Sequence, residues 1–282
     1  MPEIFEIKTR IDGLKSIHNI TYAMQIVTIS RLKRITMQLQ KVNQSSQDVK
    51  TVLGKLLAEY PTFEKKFFLE SEEEKVPVFV LFFSNRGFCG SFNQDIYNAY
   101  LHFCKDKEIS GAKVVGIGKK SSVILKDADT YVPQKDLFSL DEIEAPLTDF
   151  MTWVESRRPI YFVYTKFKSI ISQKIVVEAV APFERKNYEE VMVRHRPVIF
   201  EPSPTHIQHH IIRLYLRYRF LSAVQHSSSS EFSQRFLLMK SAVDNVKALL
   251  DELHLQLNKE RQRMITQEIL EIISTFNALS KK

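Results

Sequence analysis

From Phe232 onward the chain carries apolar residues at Phe232, Phe236, Met239, Val243, Val246, Leu250, Leu253 and Leu257, in unbroken alternating steps of four and three. That rhythm is a heptad seam, and it constrains the fold more than any other feature because only a helix paired with another helix can bury it. Neither proline nor glycine occurs after Pro204, so nothing breaks a helix from about Thr205 to Leu279. After a skip, the same spacing is expected to resume at Ile265, Ile269, Ile272, Phe276 and Leu279 with a local change in supercoil.

The N-terminus supplies a partner. Apolar residues recur at Ile4, Ile7, Ile11 and Leu14, then Ile17, Ile20, Met24 and Val27, then Leu32, Ile35, Leu39 and Val42, with Gly13 and Gly54 the only glycines and no proline between Pro2 and Pro61. Two helices of roughly 55 and 75 residues would be about 80 and 110 Å long, so they are expected to project beyond any globular body. The division expected is an N-terminal coiled-coil helix over 1–62, a central domain over 76–195, and a C-terminal coiled-coil helix over 205–282.

Between the helices the character changes. The acidic, aromatic stretch from about Phe63 to Lys75 reads as a surface linker. The run Val76 to Phe83 is continuously apolar, as in a strand buried on both faces. A glycine-containing turn follows, then helical periodicity from Phe92 to Cys104, a strand over 113–118 and a short helix near 121–126. Less regular sequence around Tyr131 and Val132 leads to a helix over 140–155 and a strand over 159–164. Strands alternating with helices predict a βαβ-type, Rossmann-like sheet. The alternating residues from Ile170 to Val180 predict one or two more strands, such as a hairpin on the sheet edge. Pro197, Pro202 and Pro204 then return the chain to the second long helix.

Composition narrows the function classes. The chain has a formal charge of +7 and a pI near 9.2, which favours an acidic partner: nucleic acid, an anionic membrane surface or an acidic protein. The basic residues gather at Arg31, Lys33 and Arg34 and again at Arg213, Arg217 and Arg219, where a solvated helix face is the simpler explanation. Two cysteines, Cys89 and Cys104, form neither a disulfide framework nor a CxxC pair, which fits a reducing compartment. No run of about 18 apolar residues suggests a membrane span, and no charged-then-apolar leader suggests a secretory signal.

Catalytic motifs fail on spacing. Gly87 and Gly90 do not make GxGxxG. Gly116-Ile117-Gly118-Lys119-Lys120-Ser121 misses the phosphate loop, because Lys113 stands where its first glycine belongs and Lys120 where Ser or Thr is needed. His206 and His210 are spaced i, i+4, yet no HExxH surrounds them and no nearby cysteine completes a metal site. Cys89 reads first as a small apolar filler and only second as a nucleophile. No catalytic, cofactor-binding or metal-binding residue is expected. A nucleic-acid-binding coiled-coil scaffold and a nucleotide-binding Rossmann enzyme remain as alternatives.

Four stretches bear on the choice among these. Residues Ile17 to Arg34, IHNITYAMQIVTISRLKR, the turn Ser84 to Asn93, SNRGFCGSFN, and the runs Met239 to Asn245 and Asn258 to Ile269 together resemble the gamma subunit of F-type ATP synthases. The likeness rests on Ile20, Thr21, Ala23, Met24, Val27, Ser30, Lys33 and Arg34, and on the last run most specifically. Asn85 and Ser91 depart from the family's acid and second glycine, Thr28 and Ile29 replace small alanines, and Ser227 to Ser230 replaces a more mixed segment, departures that bear on local packing against partners.

The resemblance implies a non-catalytic shaft that couples ion flow through a membrane ring to ATP synthesis or hydrolysis. Its expected partners are the alpha and beta subunits, the epsilon subunit and the c-ring, with no nucleic acid and no cofactor. Contacts to beta are expected at Met24, Lys33, Arg34, Arg261, Gln262, Thr266 and Glu268, and the family turn at Arg86, Gly87, Cys89 and Gly90. The expected location is peripheral, on the cytoplasmic face of a bacterial plasma membrane.

Overall fold

A computed structural model of the chain describes residues 2–59, 76–126, 129–131, 144–156, 158–181 and 204–279. The expected linker over 63–75 and the proline-bearing return through Pro197 and Pro202 lie outside them.

Helix α1 spans Pro2–Glu59 and helix α5 spans Pro204–Leu279, 58 and 76 residues without interruption. Between them run β1 (Val78–Phe82), α2 (Phe92–Asp106), β2 (Lys113–Ile117), α3 (Ser121–Ile124), β3 (Asp129–Tyr131), α4 (Glu144–Glu155), β4 (Ile160–Phe167) and β5 (Gln173–Ala181). The five-stranded sheet has the order β3-β2-β1-β4-β5. The first four strands are parallel, and β5 turns back antiparallel to β4 at the edge, as the alternation from Ile170 predicts.

By its internal contacts the chain divides into two compact units, residues 1–28 with 236–282, and residues 29–235.

In the larger unit both sheet faces are covered, which explains the unbroken apolar run in β1. Val78, Val80 and Phe82 point into a core shared with α4, the α1 residues Val49, Leu53 and Leu56, and the α5 residues Ile212, Tyr215, Leu216, Phe220 and Val224. Phe79, Leu81 and Phe83 point the other way, onto Phe92 and Ile96 of α2. This two-residue alternation between two dry faces is what a central parallel strand requires. The long helices run antiparallel here: Leu32 and Ile35 meet Phe232, and further along α1 the Ser222 hydroxyl donates to Asn43 Oδ1 at 2.9 Å.

The smaller unit is a pair of antiparallel helical segments. One groove between them is lined by Glu6, Ile7 and Arg10 with Gln256, Lys259 and Glu260, and the next by Gly13, Leu14 and Ile17 with Leu249, Glu252 and Leu253.

Its seam differs from the expected one. Ile17, Ile20 and Val27 are 51%, 62% and 52% exposed, while His18, Thr21 and Gln25 are half-buried and Thr28 is buried. The reason is register: steps of three and four from Ile4 through Ile7, Ile11 and Leu14 lead next to residues 18, 21, 25, 28 and 32, and choosing isoleucines instead breaks the period. The threonines make this tolerable, because the Thr21 and Thr28 hydroxyls donate to the carbonyls of Ile17 and Met24 on their own helix, the latter at 2.6 Å.

The second helix is corrected likewise. Its rhythm continues from Leu257 through the half-buried Glu260 and Met264, and Ile265, Ile269, Ile272 and Phe276 are exposed. They lie off the seam's line.

Candidate partner-binding site

The turn after β1 is held by side chains rather than by glycine alone. Ser84 N–H donates to Asn93 Oδ1 and Asn93 Nδ2 donates to Ser84 Oγ, both at 2.8 Å, while Ser84 Oγ–H donates to the Arg86 carbonyl at 2.9 Å. Asn93, in the first turn of α2, thus ties that helix to the end of β1. Cys89 is buried with its Sγ 3.6 Å from Ser84 Oγ, and burial pushes its thiol up from the ordinary value. A desolvated thiol with a raised pKa is a packing residue and a poor nucleophile. Phe88 and Gly90 both take φ of 61°, so the chain reverses through the left-handed region at two positions.

Helix α5 grips this turn. Arg235 donates through Nε to the Gly87 carbonyl and through one Nη to the Arg86 carbonyl, each at 3.0 Å, and pairs with Glu231 at 2.7 Å. Both charged side chains are almost fully buried, at 5% and 6% exposure. The Glu231 carboxylate also accepts from the backbone N–H groups of Asn85 and Arg86; burial raises its pKa, and Arg235 and those N–H groups oppose the rise. Five residues, Glu231 and Arg235 on one turn of helix and Asn85, Arg86 and Gly87 in the loop, are therefore joined in a site where either charge alone would be costly, although the other Nη of Arg235 is buried without a hydrogen-bond partner.

The same helix covers the carboxyl ends of the central strands. Ser227 Oγ donates to the carbonyl of Phe82 at the end of β1, and Ser230 Oγ to that of Thr165 in β4, both at 3.0 Å. The strand order reverses between β1 and β4, which is where open α/β sheets bind ligands. Here that crevice is filled by the chain itself. Ser227 and Ser230 thus face this chain's own sheet, and their small side chains let the helix approach the strand ends. The glycines expected not to bind phosphate have packing roles as well: a Cβ on Gly118, at φ +109°, would lie 2.4 Å from the Phe83 carbonyl oxygen.

The sequence-predicted site residues fall into separate groups. Arg86, Gly87, Cys89 and Gly90 are brought together in the turn. Lys33 and Arg34 are exposed on α1 in the larger unit. Met24 is half-buried in the smaller unit, where Arg261, Gln262, Thr266 and Glu268 all lie exposed on α5. Thr266 Oγ1 donates to the Gln262 carbonyl at 2.9 Å, and Glu260 is paired with Arg263 rather than with Arg261, at 3.0 Å. Of the second basic cluster, Arg219 is engaged internally, 3.0 Å from Glu178 and donating to Tyr215 Oη.

Sequence reasoning missed Glu231 and Arg235. At i, i+4 on a helix they read as an ordinary surface pair, and the available signal was their place beside Phe232 in a stretch of small residues. Among the described residues no group of three or more His, Cys, Asp or Glu could hold a metal ion, and no helix is long and apolar enough to cross a membrane.

Comparison with known proteins bears on both halves of this architecture. Residues 3–279 match the family described as ATP synthase. The chain is 30% identical over 280 residues to an ATP synthase gamma chain of Clostridium kluyveri, covering 97% of each, and 28% identical over 275 residues to the gamma chain of Clostridium botulinum (strain Kyoto / Type A2), covering 95% of each. Its fold is similar to a chain of the Euglena gracilis mitochondrial ATP synthase OSCP/F1/c-ring structure, with TM-score 0.67, 18% identity and coverage of 99% of this chain and 95% of that one. A Tetrahymena thermophila mitochondrial ATP synthase central stalk/c-ring chain gives TM-score 0.61 at 23% identity, covering 79% of this chain and 99% of that one. Paired terminal helices around a sheet whose ligand crevice is self-filled, together with this near full-length match, place the chain in the gamma-subunit family of the F-type ATP synthases.

Proposed function

We propose that this chain is the central shaft of an F-type ATP synthase, coupling ion flow through a membrane ring to ATP synthesis or hydrolysis on neighbouring subunits. It is a non-catalytic subunit. The observation that carries the reading is the inverted segment of α1. Between residues 17 and 28 the polar side chains face the partner helix, while Ile17, Ile20, Tyr22, Ile26 and Val27, each about half-exposed or more, face outward. An apolar exterior this extensive is a binding surface awaiting other chains. The exposed Ile265, Ile269, Leu270, Ile272, Ile273 and Phe276 of α5 add to it.

The alpha and beta subunits are the partners for these helical faces, with Met24, Lys33, Arg34, Arg261, Gln262, Thr266 and Glu268 on beta. The central domain over 76–195, set between helical segments 1–62 and 205–282, takes the epsilon subunit and the c-ring. The similar Euglena gracilis OSCP/F1/c-ring and Tetrahymena thermophila central stalk/c-ring structures support this assignment. Bacterial relatives support a peripheral location on the cytoplasmic face of the plasma membrane.

Such a shaft acts by differential contact. Three equivalent sites around it meet three different faces, so each is biased toward a different state by the difference in contact free energy, and rotation exchanges the biases.

Reconstitution with alpha and beta subunits tests the reading. The purified chain alone should hydrolyse no ATP, and Arg261→Ala or Glu268→Ala should leave the complex assembled while lowering turnover about tenfold, as expected when a charge-assisted hydrogen bond of roughly 1.5 to 3 kcal/mol is lost. Turnover within about twofold of the parent in both variants would return these residues to a solvated face contributing at most about 1 kcal/mol.

A further inference from the structure

The tip of the β4–β5 hairpin is built in a way that internal packing does not explain. Residues 156–177 contain Arg157, Arg158, Lys166, Lys168 and Lys174 and no acidic residue. Lys166 and Lys174 are direct partners across the antiparallel pair, and Lys168 follows in the turn. Like charges directly opposite on a ladder are destabilising. All three lysines are exposed, and among the described residues no ion pair is formed by any of them. The nearest acid on the same face of β5, Glu178, is already taken by Arg219 and by the Tyr164 hydroxyl.

Between the lysines stands Ile171, 87% exposed, the most exposed large apolar residue among those described. It is not on a loose loop. Lys168 and Ser169 N–H both donate to the Ser172 carbonyl at 3.2 and 3.0 Å, Ser172 N–H donates to Ser169 Oγ at 3.0 Å, and Gln173 Nε2 donates to the Ile170 carbonyl at 3.1 Å. Ile170 and Phe167 pack against the Leu32, Ile35 and Phe232 cluster, which anchors the tip to both long helices. Fixing Ile170 inward leaves Ile171 held outward.

We infer that this tip is a docking knob for an acidic segment of a partner protein, with Ile171 entering an apolar pocket and Lys166, Lys168 and Lys174 meeting its acidic rim. A rigid apolar anchor surrounded by charge is the arrangement of an interface hot spot. Nucleic acid would call for stacking aromatics beside the lysines, and a bilayer surface for a broader apolar or aromatic face; the tip has neither. Lysines protecting an edge strand from aggregation would explain the charge but not the isoleucine between them. The inference takes from the shaft reading only its choice of probe, the assembly with alpha, beta and epsilon subunits.

The test places p-benzoylphenylalanine at position 171, and separately at 265 as a control, in the full chain co-expressed with alpha, beta and epsilon subunits, and identifies the photo-captured peptides by mass spectrometry. Capture at 171 should yield an acidic segment of one partner, and Lys166→Gln, Lys168→Gln and Lys174→Gln together should lower its yield roughly fivefold or more and flatten its dependence on salt. Capture at 265 without capture at 171 overturns the knob and leaves the shaft reading intact. No capture at either position overturns both. Flotation of the full chain with phosphatidylglycerol vesicles that depends on the three lysines, in the absence of protein capture at 171, also overturns the inference in favour of a lipid surface.

Discussion

Two stretches of one helix reverse the usual rule of burial. From Gln225 to Arg235, α5 buries glutamine, histidine, serine, glutamate and arginine side chains, whereas from Ile265 to Phe276 it exposes isoleucine, leucine and phenylalanine. Helical periodicity is the same in both, so the difference lies in what each stretch faces. The first faces the carbonyl ends of a sheet and a loop, which demand donors. The second is left exposed along its length, and its apolar character is explained if other chains supply the cover. Polar residues inside and apolar residues outside are thus two forms of one statement, that a side chain matches its neighbour rather than an abstract interior.

The comparison breaks most sharply at the buried pair. Glu231→Ala would leave the Arg235 guanidinium buried and two N–H groups of the turn without an acceptor, and should destabilise the isolated chain by about 3 to 5 kcal/mol. The paired change Glu231→Leu with Arg235→Met should cost markedly less, since no lone charge remains. Urea unfolding followed by circular dichroism measures both, and equal losses would show that the turn, rather than the uncompensated charge, sets the cost.

A pH series sharpens it next. Burial, aided by Lys166 and opposed by Glu178, lowers the His226 pKa from 6.5 to about 4, and the ring lies 6.0 Å from that of Tyr164. The neutral form is therefore favoured in the folded chain, and the unfolded chain takes up a proton first as pH falls. Stability is full above pH 6.5 and is lost as pH falls towards 4, by roughly 3 kcal/mol at 1.36 kcal/mol per pKa unit. His226→Leu should flatten this slope by about one proton, and an unchanged slope would place the sensitivity elsewhere.

The smallest effect is expected in the exposed stretch. Ile269→Ser and Ile272→Ser should change the stability of the isolated chain by about 0.5 kcal/mol or less each. A loss of 2 kcal/mol or more would mean that these residues are covered within the free chain.

Most elements were legible in the sequence because their signals are local. Continuous apolar runs marked β1 and β4, alternation marked β5, and the absence of proline and glycine marked the long helices. What was misread depended on register and burial. Ile17, Ile20 and Val27 were expected in the seam because they are apolar, while the period itself points to His18, Thr21, Gln25 and Thr28. The clamp of Glu231 and Arg235 on the turn was illegible for another reason: it joins residues 148 and 149 positions apart, and only the fold brings them together.

The threonine-bearing stretch of α1 has a bearing on how the two ends of the chain find their alignment. A strictly leucine-and-isoleucine pair of helices can slip by seven residues and lose little, since every position finds an equivalent one. Polar residues at seam positions remove that degeneracy at some cost in stability. His18, Thr21, Gln25 and Thr28 occupy four successive seam positions, so a seven-residue slide would set them against different neighbours and carry apolar positions out of contact at the ends. The stretch that weakens the pairing also serves as its ruler, telling two helices of unequal length where to stop.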